Sequence, residues 1–368
     1  MRAVANGPIV IAAGGTGGHF FPAEALAAEL IERGERVVLL TDSRSGGLAS
    51  PVFTKTETHV VAGAGLAGRN VGRAIKGALA LARGTIQARV ILGGLKPAAV
   101  VAFGGYPSVP PILAAFSMWG SKPFVVLHEQ NAVLGRANRF LSRFANVLAI
   151  NFPFTQRLPP RMKTIVVGNP VRPAISELHG QGYIAPDKTI ELLVVGGSLG
   201  AKIFSSLVPA ALAKLPENLC TRLHVTQQCR AEDIESVRKT YNDSGIVAEL
   251  SPFFNNVASL LKRAHLIIAR AGASTVTEIA VAGRPAIFIP LPGAIDDHQR
   301  ANADALTANN GAVQFDQSGL TAEILTKEIE IFLMNSERLT KMAAASAQIG
   351  EPNAAARLAD LIQERVRA

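Results

Sequence analysis

Three times in this chain a short run of branched apolar residues ends in glycines and gives way to a helical pattern. The turns are Gly14-Gly15-Thr16-Gly17-Gly18-His19, Gly104-Gly105-Tyr106 and Gly196-Gly197-Ser198-Leu199-Gly200. Glycine lets a backbone approach a ligand closely, and the helix N-terminus behind it presents N–H groups and a partial positive charge. One such turn is explained equally well by the needs of any strand-to-helix connection. Three of them, each closing a strand, point to a phosphate or diphosphate ligand.

The strand candidates around these turns, among them Ile9–Ala13, Ala98–Phe103, Phe124–His128, His59–Ala62 and Leu266–Ala269, are continuously apolar rather than alternating. Parallel strands covered on both faces read this way, and the intervening helical patterns make βαβ units. The series restarts after Gly168-Asn169-Pro170-Val171-Arg172-Pro173, and 368 residues exceed what one core usually serves. The expectation is an α/β chain of two Rossmann-like domains, 1–170 and 171–351, facing across a cleft with a hinge near Arg172. A last helix, within 352–368, carries apolar residues at 355, 358, 359, 362 and 366 and is expected to pack back on the first domain.

Composition narrows the partners. Apolar residues make up 48% and charged residues 18%, which excludes disorder, and the formal charge of +9 suggests an anionic partner. Aromatics are only 5%, with Trp119 the sole tryptophan, so stacking platforms for single-stranded nucleic acid are not expected. Cys220 and Cys229 cannot build a disulfide framework and lack zinc spacing. The apolar run from Pro8 to Ala13 is too short for a signal peptide. Pro97 to Ser121 holds no charge, but Gly104-Gly105-Tyr106-Pro107 and Pro110-Pro111 divide it into a strand, a turn and a helix. The chain should be soluble, or at most lie on a membrane.

No Gly-Lys pair exists for a P-loop, and the dinucleotide pattern G-x-G-x-x-G fails because Phe20 stands where its last glycine belongs. Asp42, ending the second strand, keeps a nicotinamide enzyme in view, although a turn role suits it better. His19 follows the first glycine turn at a helix start, where the dipole favours a neutral imidazole able to accept a proton. His128-Glu129-Gln130-Asn131 ends another strand, but Ala132 replaces the second histidine that a zincin site needs. No Asp-x-Asp is present to hold a metal–nucleotide diphosphate, and Arg172 could neutralise a diphosphate instead. Thr275 and Glu278 have capping-box spacing, so a structural role competes there with ribose binding. Asp296 or Asp297 could cap the following helix.

In order along the chain, Gly14-Gly15-Thr16-Gly17-Gly18-His19, His128-Glu129-Gln130-Asn131, Gly168-Asn169-Pro170-Val171-Arg172, Gly196-Gly197-Ser198-Leu199-Gly200-Ala201 and the helix from Gly272 to Gly283 closely resemble the MurG family of bacterial peptidoglycan glycosyltransferases. The resemblance covers nearly the whole chain. It implies a GT-B fold and transfer of N-acetylglucosamine from UDP-N-acetylglucosamine to undecaprenyl-pyrophosphoryl-N-acetylmuramoyl-pentapeptide (lipid I), giving lipid II. It further implies no metal or other cofactor, and a peripheral place on the cytoplasmic face of the inner membrane; nucleic acid is not expected as a partner, since no feature of the sequence favours it.

The same resemblance implies site residues. Thr16, Gly17 and Gly18 with Asn131 would line the cleft from the N-terminal side, and Gly14, Gly15, Gly104, Gly105 and Tyr106 would form loops for the acceptor pyrophosphate. Arg172 and Ser198 would meet the nucleotide and its diphosphate, and Phe254 falls where the family reads uracil through the backbone. Ala273, Ser274, Thr275, Val276, Thr277 and Glu278 would wrap the nucleotide sugar, with Glu278 on the ribose and Gln299 on the sugar hydroxyls. The family often has two glutamines where this chain has His298-Gln299. The implied mechanism is one inverting displacement, and the dipole-facing position of His19 makes it the expected base, with Glu129 as second choice.

A lipid-linked acceptor calls for a membrane face, and one segment suits it. Arg69, Arg73, Lys76 and Arg83 fall at helical spacing beside an apolar stripe that includes Ile75, Leu79 and Ile86. The competing account is a helix whose apolar side covers the core, and Gly72, Gly77 and Gly84 weaken the helical pattern. Among other functions, a UDP-N-acetylglucosamine 2-epimerase is the nearest alternative, followed by a nicotinamide oxidoreductase and a non-catalytic nucleotide-sugar module.

Overall fold

The structure, a computed structural model, describes residues 7–43, 50–63, 71–120, 122–197 and 201–366, and for 71–75 the backbone only. The chain divides into two compact units, Met1–Arg172 with Asn353–Ala368, and Pro173–Pro352.

The first unit is built on seven parallel strands: β1 (Ile9–Ala12), β2 (Val37–Thr41), β3 (Glu57–Val60), β4 (Ala99–Ala102), β5 (Phe124–Glu129), β6 (Val147–Ile150) and β7 (Thr164–Val166), in the order β3-β2-β1-β4-β5-β6-β7. Alternate residues of a strand point to opposite faces, and here both faces are apolar. Ile9 and Ile11 join a cluster with Leu26 and Leu30 of α1 (Gly17–Glu32). Val10 and Ala12 join another with Leu92 of α2 (Val71–Leu95) and Ile112 of α3 (Val109–Phe116). The C-terminal helix Ala354–Val366 lies on the α1 side, burying Leu358 and Ile362 in that cluster. Arg33, closing α1, reaches Asp360 at 2.5 Å and Gln363 at 3.0 Å.

Two expectations shift here. The third strand lies at Glu57–Val60 rather than His59–Ala62, because it is an exposed edge and the apolar run beyond it turns Val61 inward. The basic helix runs to Leu95, well past Ile86. Gly84 serves packing in it: an added Cβ would stand 1.9 Å from the carbonyl oxygen of Ala62.

The second unit carries six parallel strands: β8 (Ile190–Val195), β9 (Leu223–Gln228), β10 (Val247–Ser251), β11 (Leu266–Ala269), β12 (Ala286–Phe288) and β13 (Ala312–Gln314), ordered β10-β9-β8-β11-β12-β13. In each sheet the strand order reverses beside the first strand, between β1 and β4 and between β8 and β11. Such reversals open a crevice at the strands' carboxyl ends, where ligands of α/β sheets bind. The loops after these four strands are the glycine turns read from the sequence, plus Arg270-Ala271-Gly272.

Candidate active site

In the first unit the polypeptide leaves β1 through Gly15, at φ +85°, and Thr16 caps α1 in extended conformation. The Thr16 carbonyl accepts from the backbone N–H groups of His19 and Phe20, both at 3.1 Å. His19 is therefore the third helical residue, half-buried. Its ring lies against the turn after β4: a Cβ added to Gly105 would come within 3.3 Å of His19 Cδ2 and 3.4 Å of Nε2. Gly104 and Gly105 have φ of +83° and +70°, conformations that glycine alone adopts cheaply. Two turns distant in sequence thus meet at one imidazole, while Tyr106 begins the short helical turn that follows.

Behind His19 runs a chain of side-chain hydrogen bonds. His19 Nδ1 lies 3.2 Å from Gln130 Oε1. Gln130 Nε2 donates to the Phe103 carbonyl at 3.0 Å and lies 3.1 Å from His128 Nδ1. His128 Nε2 reaches the Gly168 carbonyl at 2.9 Å. His128 is wholly buried, and desolvation pushes its pKa down to about 4, with a charge on His19 lowering it further. Sequence reasoning assigned no role to His128 or Gln130. The available signal was a polar run at a strand's carboxyl end.

Glu129 serves differently from the expected second base. Its Oε1 accepts from the backbone and side-chain nitrogens of Asn131, each at 3.0 Å. Its Oε2 accepts from Gly135 N and Asn138 Nδ2, each at 2.9 Å. With four N–H donors on a carboxylate only 2% exposed, Glu129 organises the 129–138 loop and positions Asn131. Arg172 stacks on Phe21 of α1, its guanidinium carbon 5.0 Å from the ring centre.

In the second unit, Gly196 and Gly197 follow β8, and Ser198 lies outside the described residues. Gln228, also unanticipated, ties this turn to the next: its Oε1 accepts from Gly196 N at 3.1 Å and its Nε2 donates to Pro252 O at 3.1 Å. Pro252 leads into Phe254, which is half-buried. After β11, Gly272 caps the helix Ala273–Ala282 without a side-chain bond, so Thr275 and Glu278 form no capping box. Helical geometry also divides the expected contacts. Ala273, Val276 and Thr277 are buried, Thr277 bonding the Ala273 carbonyl at 2.9 Å. Ser274, Thr275 and Glu278 share the more open face.

Arg270 is a structural residue. It donates to the carbonyls of Ile289 and Pro290 at 2.8 and 3.0 Å, binding the ends of β11 and β12 together. Gln299 folds back so that its Oε1 accepts from Leu291 N at 2.9 Å, which leaves the amide nitrogen as its outward donor. His298 Nδ1 lies 2.7 Å from Ile295 O. Asp297 stands at the cap of the next helix with no side-chain cap bond, and it pairs with Arg300 at 3.1 Å.

On α2, Lys76, Leu79 and Arg83 are exposed, whereas the side chains of Arg73 and Ile75 lie outside the described residues. Leu79, Ile86 and Val90 are 65%, 66% and 72% exposed, while Gly77, Gly84, Ala88 and Leu92 face inward. Between the two accounts of this helix, the described apolar stripe faces out. Among the described residues no helix is long and apolar enough to cross a membrane, and no three His, Cys, Asp or Glu side chains gather to hold a metal.

Residues 9–150 match the glycosyltransferase family 28 N-terminal domain and 191–360 match the C-terminal domain of the same family. A UDP-N-acetylglucosamine--N-acetylmuramyl-(pentapeptide) pyrophosphoryl-undecaprenol N-acetylglucosamine transferase of Acidiphilium cryptum is 55% identical, with 100% of both chains covered. A protein of the same description from Granulibacter bethesdensis is 53% identical over 99% of this chain and 95% of its own. The crystal structure of Acinetobacter baumannii MurG superposes with a TM-score of 0.76 at 34% identity, covering 97% of this chain and 99% of that one. A Listeria monocytogenes structure described as a putative UDP-N-acetylglucosamine 2-epimerase reaches a TM-score of 0.65 at 13% identity, over 95% of this chain and 94% of its own, and shares the fold alone. With two Rossmann-like units of GT-B type and full-length relatives of this kind, the chain belongs to glycosyltransferase family 28 and, within it, to the MurG family.

Proposed function

We propose that this chain transfers N-acetylglucosamine from UDP-N-acetylglucosamine to the 4-hydroxyl of the muramoyl unit of lipid I, giving lipid II. The hydroxyl oxygen attacks the anomeric carbon, the bond from that carbon to the diphosphate oxygen breaks with inversion, and UDP departs. The hydroxyl proton passes to His19. One observation carries this role: His19 is held by Gln130 through Nδ1 while Nε2 lies over the Gly104-Gly105 turn. The four donors on Glu129 argue against that carboxylate as the base.

The first unit takes the acceptor, its pyrophosphate against the turns containing Gly14, Gly15, Gly104, Gly105 and Tyr106, with Thr16, Gly17, Gly18 and Asn131 beside the reacting sugar. The second unit takes the donor. Glu278 accepts from the ribose hydroxyls, Ser274 and Thr275 bond the nucleotide sugar, the backbone at Phe254 reads uracil, and Gln299 Nε2 meets the sugar hydroxyls. Arg172 and the helix start beyond Ser198 meet the charge of the leaving diphosphate, which is electrostatic stabilisation that needs no metal. The exposed stripe of α2 with Lys76 and Arg83 rests on the anionic cytoplasmic surface of the inner membrane, so the basic character belongs to diphosphate and lipid and not to nucleic acid.

His19→Ala should lower turnover about a hundredfold or more while UDP affinity holds. Unchanged turnover would remove His19 from the mechanism.

A further inference from the structure

Resting on His19 as the base, we propose that Gln130 and His128 are positioning residues that fix which ring nitrogen of His19 receives the proton. The two ends of their hydrogen-bond chain are carbonyl oxygens, which can only accept. Phe103 O therefore faces the amide nitrogen of Gln130, and this turns Oε1 toward His19. Oε1 also only accepts, so the hydrogen between them sits on His19 Nδ1. At the other end, Gly168 O requires the hydrogen of His128 on Nε2. His128 Nδ1 is then left to accept the second amide hydrogen of Gln130, at 3.1 Å. Each proton in the chain has one possible place.

The consequence falls on His19, whose Nε2 carries the lone pair. Imidazole in water favours the opposite tautomer, with its hydrogen on Nε2. The protein thus imposes the minority form, and it does so with Gln130 only 2% exposed and His128 wholly buried, where no water competes. A proton on His128 Nδ1 would oppose the amide hydrogens of Gln130, and burial keeps that site unprotonated well below neutral pH. The orienting partner of His19 is a neutral amide. It selects the tautomer without the charge a carboxylate would add, and so leaves the imidazolium able to give its proton up again. Among the described charged groups of this unit, the Glu129 carboxylate is held by Asn131, Gly135 and Asn138, and Arg172 stacks on Phe21, two residues beyond His19.

Nitrogen NMR of the full-length protein with labelled histidine reads the tautomers directly. We expect His19 protonated on Nδ1 and His128 on Nε2. In Gln130→Met, His19 should revert to the Nε2-protonated form, and kcat should fall at least about tenfold while KM for UDP-N-acetylglucosamine stays within about twofold. Gln130→Glu keeps an acceptor at Nδ1, so it should retain the tautomer and move the acidic limb of the pH–rate profile upward, because the carboxylate favours the imidazolium. A wild-type His19 carrying its hydrogen on Nε2 overturns the inference even if neither variant folds. Unchanged kcat in Gln130→Met overturns it as well. Full turnover in His19→Ala would instead overturn the reading on which it rests.

Discussion

The guanidinium carbon of Arg172 lies 5.0 Å above the ring of Phe21, one turn into the helix that the first glycine turn opens. A flat cation spread on an aromatic face is held in one orientation, and a planar guanidinium matches the geometry of a phosphate. Charge-assisted bonds of that kind contribute about 1.5–3 kcal/mol each. Arg172→Ala should therefore raise KM for UDP-N-acetylglucosamine by roughly ten- to a hundredfold. Arg172→Lys should recover only part of the loss, since a point charge cannot stack. Steady-state kinetics check both, and an unaltered KM in Arg172→Ala would detach this residue from the donor.

Gly105→Ala combines two costs. The backbone at φ +70° and ψ 175° is a region essentially reserved for glycine, which disfavours a Cβ by about 1–3 kcal/mol, and the new methyl would press on the His19 ring at 3.3 Å. Gly120 has φ +79° and nothing within 4 Å of an added Cβ, so Gly120→Ala carries the backbone cost alone. Both variants should lower Tm, but only Gly105→Ala should lower turnover, by about tenfold for a displaced base. Equal turnover in the two would mean that His19 and this turn are independent.

Stability should fall on mild acidification. His128 titrates near pH 4 in the folded protein against 6.5 unfolded, so the unfolded state takes up protons first as pH drops below 6.5. The contribution is fully present above pH 6.5, erodes below it and is gone below about 4. Between pH 6.5 and 5 the loss amounts to about 2 kcal/mol. His265, held down chiefly by burial, acts in the same sense. Chemical denaturation across this interval measures the loss. A flat profile would mean that His128 is not a buried neutral group.

The exposed stripe on α2 predicts a separation of binding from chemistry. Leu79→Glu with Ile86→Glu should weaken sedimentation with anionic vesicles by at least tenfold, given about 1.5–3 kcal/mol for each large apolar side chain removed from lipid. Turnover with a water-soluble acceptor should persist. Undiminished vesicle binding would leave these exposed residues without the role proposed for them.

Much of the scaffold could be read from the chain, for identifiable reasons. Leu266–Ala269 is a strand to the residue because polar His265 and Arg270 bound a pure apolar run. The edge strand slipped by two residues because edges need not be apolar, and Val60-Val61-Ala62 continues past its end. Thr275 and Glu278 had the right spacing for a capping box, but the helix begins at Ala273, so register decided against it. The glycine turns and His19 were visible as local motifs. The support behind His19 was not, since its bonds join residues 27, 40 and 111 positions apart, and only the strand order brings those together.

The central claim is glycosyl transfer to a lipid-linked muramoyl acceptor, and UDP release from UDP-N-acetylglucosamine by the purified chain tests it most directly. The account predicts release that depends on a lipid I analogue, with one disaccharide product formed per UDP. Release that proceeds equally without the acceptor, or conversion of the sugar to its 2-epimer, would contradict it.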